Sequence, residues 1–286
     1  MKFCHITPID HLDLVRGREA HLTLAHIVSG MEGSAEQVQK YCAFYAQEKA
    51  TNQNYLNIMD NSAFELYKNK MPMFNPSELL DLGRAVSATH IVLPDHPAHP
   101  SMVTIDDAKM YAPQFKEAGF GTFFVPQSDI GDLEDLITAF AWGASSPLVD
   151  YIGISILAVP NAYGVETGNP LQRFTARWKF MNELYDRNLL QLAAQNGKKI
   201  HFLGMVDGPN EINLVRDFHI DTWDSSAGVW AGLNGIPFDG SPTGLINGKF
   251  EKHVDFTSSF EDTTIAESNM RVIDALVERY NFTERL

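Results

Sequence analysis

Residues 89–127 hold the pattern that decides the fold. Thr89-His90-Ile91-Val92-Leu93 is a short apolar, β-branched run that ends at Pro94-Asp95. A helical stretch follows from Thr104 to Ala118, and then a second run, Gly121-Thr122-Phe123-Phe124-Val125, ends at Pro126-Gln127. Strand, turn, helix and strand in succession form a βαβ unit, whose two strands pair in parallel.

The unit recurs in both directions. Upstream lie His21 to Val28, closed by Ser29-Gly30 and followed by a helix over Ala35 to Lys49, and Tyr55 to Met59, which ends at Asp60. Asn75-Pro76-Ser77-Glu78 marks a helix start, with a capping side chain and Pro in the first turn. Downstream come a helix over Leu133 to Trp142, a fifth run from Asp150 to Ile156 and a long helical stretch from Pro170 to Asn196. The sixth run is Lys199 to Val206, with its helix starting near Pro209-Asn210-Glu211, and the short seventh, Ile220 to Trp223, ends at Asp224. Lys249 to Asp255 is the candidate eighth strand, and Thr263 to Tyr280 is an amphipathic helix.

Seven or eight such units without a compositional break predict an α/β fold of the (β/α)8 TIM-barrel type. The expected organisation is one domain over 1–286, with 1–19 as a lead-in and a loop insertion over 228–256 that takes in the eighth unit. A doubly wound open sheet is the alternative, but no Gly-x-Gly-x-x-Gly follows any strand.

Of 286 residues, 44% are hydrophobic and 20% charged, which excludes disorder and coiled coil and suits a large core. No apolar run approaches the roughly 20 residues of a membrane span. Met1-Lys2-Phe3-Cys4-His5 has no secretory apolar region, so a cytoplasmic protein without a membrane partner is expected. Cys4 and Cys42 are too few for a disulfide scaffold, and no Cys-x-x-Cys offers a zinc site. The balance of 22 basic against 36 acidic residues, a net of −14, excludes binding of nucleic acid through a broad basic face. A local basic channel remains compatible with it.

In a barrel the reactive groups sit where strands end. Asp60, Asp95, Gln127 and Asp224 all stand at such ends. An Asp there is often a turn former or helix cap, but three of them with a Gln point to a site. Three chemistries stay open. Two carboxylates can flank a glycosidic bond as nucleophile and general acid or base. Asp95 with His96 and His99 can hold a metal, although a proline-stiffened loop gives the histidines no fixed facing geometry. Asp and Gln together can read the hydrogen-bonding edge of a heterocycle.

Several of these segments resemble the tRNA-guanine transglycosylases. Met59-Asp60-Asn61-Ser62-Ala63-Phe64-Glu65 is similar to their Asp-Ser-Gly-Gly-(Tyr/Phe)-Gln strand end, and Ile91 to Pro97 to their third-strand Asp segment. Phe124-Val125-Pro126-Gln127 resembles their Val-Gln, and Tyr151-Ile152-Gly153-Ile154 their Gly-Gly-Leu. The run from Phe202-Leu203-Gly204-Met205-Val206 to Phe218-His219-Ile220-Asp221-Thr222-Trp223-Asp224 resembles their Leu-Met-Gly-Val-Gly…Gly-Ile-Asp-Met-Phe-Asp in order and spacing. The resemblance spans roughly residues 20 to 235.

It implies that Asp224 attacks the sugar anomeric carbon while Asp60 acts as general acid and base. Asp95, Gln127 and the Gly153 backbone would read the purine edge; Phe64 and Met205 would stack on the base. The incoming partner would be a free 7-deazaguanine, such as the 7-cyano compound, and no cofactor would be needed.

There are departures. No Cys follows position 42, so the tRNA enzymes' Cys-x-Cys-x2-Cys…His zinc site is missing and no metal is expected. Ser225-Ser226-Ala227 replaces their Pro-Thr-Arg, and Asn61-Ser62-Ala63 stands at their Gly-Gly. The chain is short and lacks an RNA-binding extension. It is closer in these respects to the DNA-acting branch, the DpdA proteins, which has compact phage-encoded members. DNA is therefore the expected partner, in host cytoplasm for a phage protein; tRNA is the alternative, as is a non-catalytic docking barrel, and a homodimer is left open. Candidate backbone contacts are Arg173, Arg177 and Lys179, then Lys198, Lys199, Lys249 and Lys252, with Trp178 or Trp230 for stacking.

Overall fold

The computed structural model describes residues 1–165, 170–205, 208–238 and 251–281. Eight strands run parallel: β1 Lys2–His5, β2 Ala20–Leu24, β3 Leu56–Asp60, β4 His90–Val92, β5 Gly121–Phe124, β6 Tyr151–Ser155, β7 Lys199–Leu203 and β8 Thr222–Ser225. Their ladder order is β1-β8-β7-β6-β5-β4-β3-β2, and β1 lies beside β2 across the remaining seam, so the sheet curls into a nearly closed ring. The helices are α1 Ala25–Val28, α2 Ala35–Thr51, α3 Ala63–Lys68, α4 Pro76–Ala85, α5 Ser101–Glu117 and α6 Leu133–Ser145. They continue with α7 Ala158–Ala162, α8 Pro170–Asp186, α9 Leu189–Gln195, α10 Asn210–Leu214, α11 Ala227–Leu233 and α12 Thr264–Asn281. The fold is a (β/α)8 TIM barrel.

Local chemistry sets many of the helix starts. Ser34 and Gln37 form a reciprocal capping box on α2. Asn75 accepts the Glu78 N–H at the start of α4, with Pro76 in the first turn, as its sequence indicates. The barrel interior is packed with rings: His90 meets Tyr151 edge-on, Tyr151 stacks on Phe123, and Phe123 meets His201 edge-on. Among the described residues no helix is long and apolar enough to cross a membrane.

Four expectations need correction. The lead-in contains a barrel strand: β1 pairs with β8, placing Phe3 opposite Trp223 and Cys4 opposite Asp224. Its polar ends, Lys2 and His5, leave only two apolar residues between them and hide it from pattern reading. The candidate eighth strand fails, because 251–255 contain no strand, while 249 and 250 lie outside the described residues. With β1 and β7 on its two sides, β8 has no free edge for another strand. The expected insertion over 228–256 opens as helix α11 and comes after the last strand, not between units. Finally, the long helix over 170–196 is two helices, broken where Asn188 takes a left-handed φ of 59°, a conformation that Asn tolerates better than most side chains.

Helices α11 and α12 pack at backbone distance. A Cβ on Gly232 would lie 2.2 Å from the Ala266 Cα and 2.3 Å from its N. Gly232→Ala is therefore expected to destabilise the protein by roughly 1–3 kcal/mol through overpacking. The check is a lower urea midpoint with an unchanged slope.

Candidate active site

The four strand-end residues share one place. Asp60, Asp95, Gln127 and Asp224 all line a single cavity of about 500 Å³ at the carboxyl ends of the strands, together with Phe64, Glu65 and Met205. Leu22, Leu24, Val92 and Val125 make part of its wall apolar.

The turn after β3 builds one side. Ser62 adopts a left-handed φ of 61°, at one of the two positions where the transglycosylase motif has Gly. Its buried hydroxyl is held by the His26 backbone N–H at 3.1 Å and by His26 Nδ1 at 2.8 Å, contacts that offset the cost of that conformation. The turn sends the Ser62 N–H to Asp60 Oδ1 at 2.5 Å. Asn61 Nδ2 donates to the Leu93 carbonyl at 2.8 Å and to Asp95 Oδ1 at 2.7 Å.

Asp95 and Gln127 form the next side. Gln127 Nε2 donates to Asp95 Oδ2, which fixes the carboxamide's orientation, since a carboxylate can only accept. Gln127 Oε1 is then a buried acceptor with no partner among the described residues. Each Asp95 oxygen retains a further lone pair. A ligand edge carrying several N–H groups is what this arrangement can satisfy.

Asp224 lies across the cavity on β8. Its Oδ1 accepts from His201 Nε2 at 2.9 Å and from the Gly204 N–H at 3.2 Å. Oδ2 has no hydrogen-bond partner among the described residues.

Burial and like charge dominate the electrostatics. Desolvation, then the Glu65 carboxylate, holds the Asp60 carboxyl well above the ordinary range, with Asp224 and Asp95 adding to the effect. Burial likewise raises Glu65 to about 7 and Asp95 to about 6, the latter against the lowering pull of Asn61 and Gln127. Asp60 is thus suited to carry a proton near neutrality.

Other expected residues fall elsewhere. Gly153 does not line the cavity: a Cβ there would meet Phe123 at 2.6 Å and Leu203 at 2.8 Å, so this glycine makes room for packing inside the barrel. The cavity residue on β6 is Ser155. Arg177 is fully buried and is not a surface contact for nucleic acid. It pairs with Glu211 through two hydrogen bonds of 2.7 and 2.6 Å and also donates to the carbonyls of Ile154, Leu203 and Gly204. Arg173 lines the cavity, whereas Lys179 is exposed outside its lining.

Lys198 and Lys199 sit at the amino end of β7, away from the cavity; Lys198 caps the carbonyls of Ser146 and Val149, and Lys199 lies over the Tyr151 ring. Lys252 bonds the Leu233 carbonyl, and Lys249 lies outside the described residues. Trp230 lines the cavity with its Nε1 donating to Val254; Trp178 is exposed and takes no part in the lining. His96 bonds Asp107 at 2.8 Å, and His99 Nδ1 bonds the Pro97 carbonyl at 2.9 Å. Among the described residues, no three metal-ligating side chains are grouped to hold an ion.

Sequence reading missed His201, Asn61 and Glu65. His201 was visible as a polar residue within an apolar run, but nothing in the sequence showed its partner. Asn61 and Glu65 flank residues already singled out.

Because the folded-state values of Asp95 and Glu65 lie above an unfolded value of about 4, these two groups hold more protons in the native protein than in the unfolded chain between about pH 4 and 7. These groups therefore cost stability increasingly as pH rises through that window, and the full cost is present above it. Glu65→Gln is expected to match the parent near pH 4 and to exceed its stability at pH 8. Urea midpoints at the two pH values test this, and a variant less stable at pH 8 contradicts it.

No protein-family model matches this chain, and neither does any curated protein. Among solved structures the chain is similar to the citrate synthase SbnG, with 13% identity and a TM-score of 0.46 over 79% of this chain and 87% of that one.

Proposed function

We propose that the barrel is a base-exchange transglycosylase that replaces guanine in DNA with a free 7-deazaguanine such as 7-cyano-7-deazaguanine. The observation that carries this reading is the convergence of Asp60, Asp95, Gln127 and Asp224 on one cavity.

In the first half, Asp224 Oδ2 attacks the C1′ atom of a deoxyguanosine. The bond from C1′ to the base breaks, its electron pair goes to the base, and Asp60 supplies the proton that leaves with guanine. Positive charge that develops on the sugar meets the surrounding carboxylates. In the second half, Asp60 takes a proton from the incoming base, whose nitrogen attacks C1′ and releases Asp224. Asp95 and Gln127 Oε1 accept the N–H groups of the base edge. Phe64 and Met205 offer an aromatic and a thioether face to its ring.

For the polymer, Tyr67 and Lys68 on helix α3 and Lys70 just past its end are exposed, close in sequence to the exposed cavity residue Phe64. Exposed aromatic and cationic side chains suit an unpaired strand, in which stacking and phosphate contacts are sequence-tolerant. A target base must leave the stack to reach the cavity, so melted or single-stranded DNA is the easier substrate. The choice of DNA over tRNA rests on the resemblance to the DNA-acting branch.

The test is exchange of a 7-deazaguanine into DNA and into tRNA, read by nucleoside mass spectrometry. Incorporation into DNA is expected, with Asp224→Asn and Asp60→Asn each losing on the order of 10³-fold or more. Lys109→Ala, an exposed residue paired with Asp106 on α5, serves as control. Incorporation into tRNA alone moves the substrate to RNA, and exchange into neither overturns the proposal.

A further inference from the structure

Resting on the exchange chemistry proposed above, the geometry points to His201 as a positioning residue that decides which oxygen of Asp224 reacts. His201 is fully buried on β7 and stands next to β8 in the sheet. Its Nε2 lies 2.9 Å from Asp224 Oδ1, and its Nδ1 lies 2.6 Å from Thr222 Oγ1. An ionised carboxylate only accepts, so a neutral ring must carry its hydrogen on Nε2 and accept the Thr222 hydroxyl at Nδ1. Phe123 meets the ring edge-on at 5.2 Å and leaves it little freedom to turn.

Two donors, His201 Nε2–H and the Gly204 N–H, therefore converge on Oδ1. They draw electron density from that oxygen and prevent the carboxylate from rotating. Oδ2 keeps its lone pairs for C1′. When the bond from C1′ to Oδ2 later breaks, its electron pair returns to the carboxylate, and the charge spread onto Oδ1 is met by the same two donors, already in place. No proton leaves or joins His201 at any stage. The stabilisation concerns the reacting carboxylate and not the free base, so its loss falls on kcat and not on KM.

His201→Phe keeps a ring of similar shape and removes the donor; His201→Gln restores an N–H of similar reach. The expected result is a kcat for exchange lower by on the order of 10²-fold in His201→Phe, a KM for the free base within about threefold, and most of the rate recovered in His201→Gln. A parental kcat in His201→Phe, or equal losses in both variants with KM rising in parallel, overturns the assignment. Nitrogen-15 NMR of the His201 ring in the parent protein gives an answer even if His201→Phe does not fold. A hydrogen on Nε2 is the expected state, and a bare Nε2 overturns the assignment. Failure of the parent protein to exchange any base removes the underlying reading and this assignment together, whereas a wrong tautomer in an active protein removes only the assignment.

Discussion

Like charge in a shared cavity is the constraint on which the site depends. Asp60, Glu65, Asp95 and Asp224 line one space, where burial strips water from Asp60, Glu65 and Asp95 and acidic neighbours add to the effect on Asp60 and Glu65. Such a group is tolerable only when it is protonated or when donors meet it. The chain does both. Asp95 has Asn61 and Gln127, Asp224 has His201 and the Gly204 N–H, and Asp60 has the Ser62 N–H. Burial also lifts Asp60, Glu65 and Asp95 toward their neutral forms. In the proposed reaction Asp224, whose Oδ1 is held by two donors, is the nucleophile, and Asp60, which burial and like charge push toward its neutral form, delivers the proton.

Those donors are backed by a hydrogen-bonded frame, with the fully buried Arg177 at its centre. Its guanidinium lies over the Phe202 ring, pairs with Glu211, and gathers the carbonyls at the ends of β6 and β7. Trp223 Nε1 bonds the same Gly204 carbonyl that Arg177 holds, and the peptide whose N–H reaches Asp224 is fixed through its own carbonyl, that of Leu203, which accepts from Arg177 and from the Ile156 N–H. A buried ion pair adds little stability against an apolar substitute, but an unpaired one is costly, which ties α8, α10 and the β7 loop into one geometry.

The barrel was legible because its periodicity is strong: seven of the eight strands stand out as apolar runs, and the helix start at 76 carries a recognisable cap. The missed strand is four residues long with polar ends, and only its ladder with β8 reveals it. The strand-end residues Asp60, Asp95, Gln127 and Asp224 were legible because a parallel barrel sends every strand's carboxyl end to one face. What acts through space was not legible. The bond from His201 to Asp224 joins two strands, and the one from Asn61 to Asp95 joins two loops; composition and spacing encode neither. Arg177 was misread for the same reason, since an arginine in a basic helical stretch looks like a solvated face until its partner, Glu211, appears beneath it.

The central claim is that Asp224 bonds covalently to the sugar. The direct measurement is peptide mass mapping of the protein after denaturation in the presence of guanine-containing single-stranded DNA and no incoming base. The account predicts a nucleotide-sized mass addition on the peptide bearing Asp224, absent from Asp224→Asn and removed when a 7-deazaguanine is supplied before denaturation. Exchange that proceeds with no such adduct, or with the added mass on Asp60 or Glu65 instead, contradicts it.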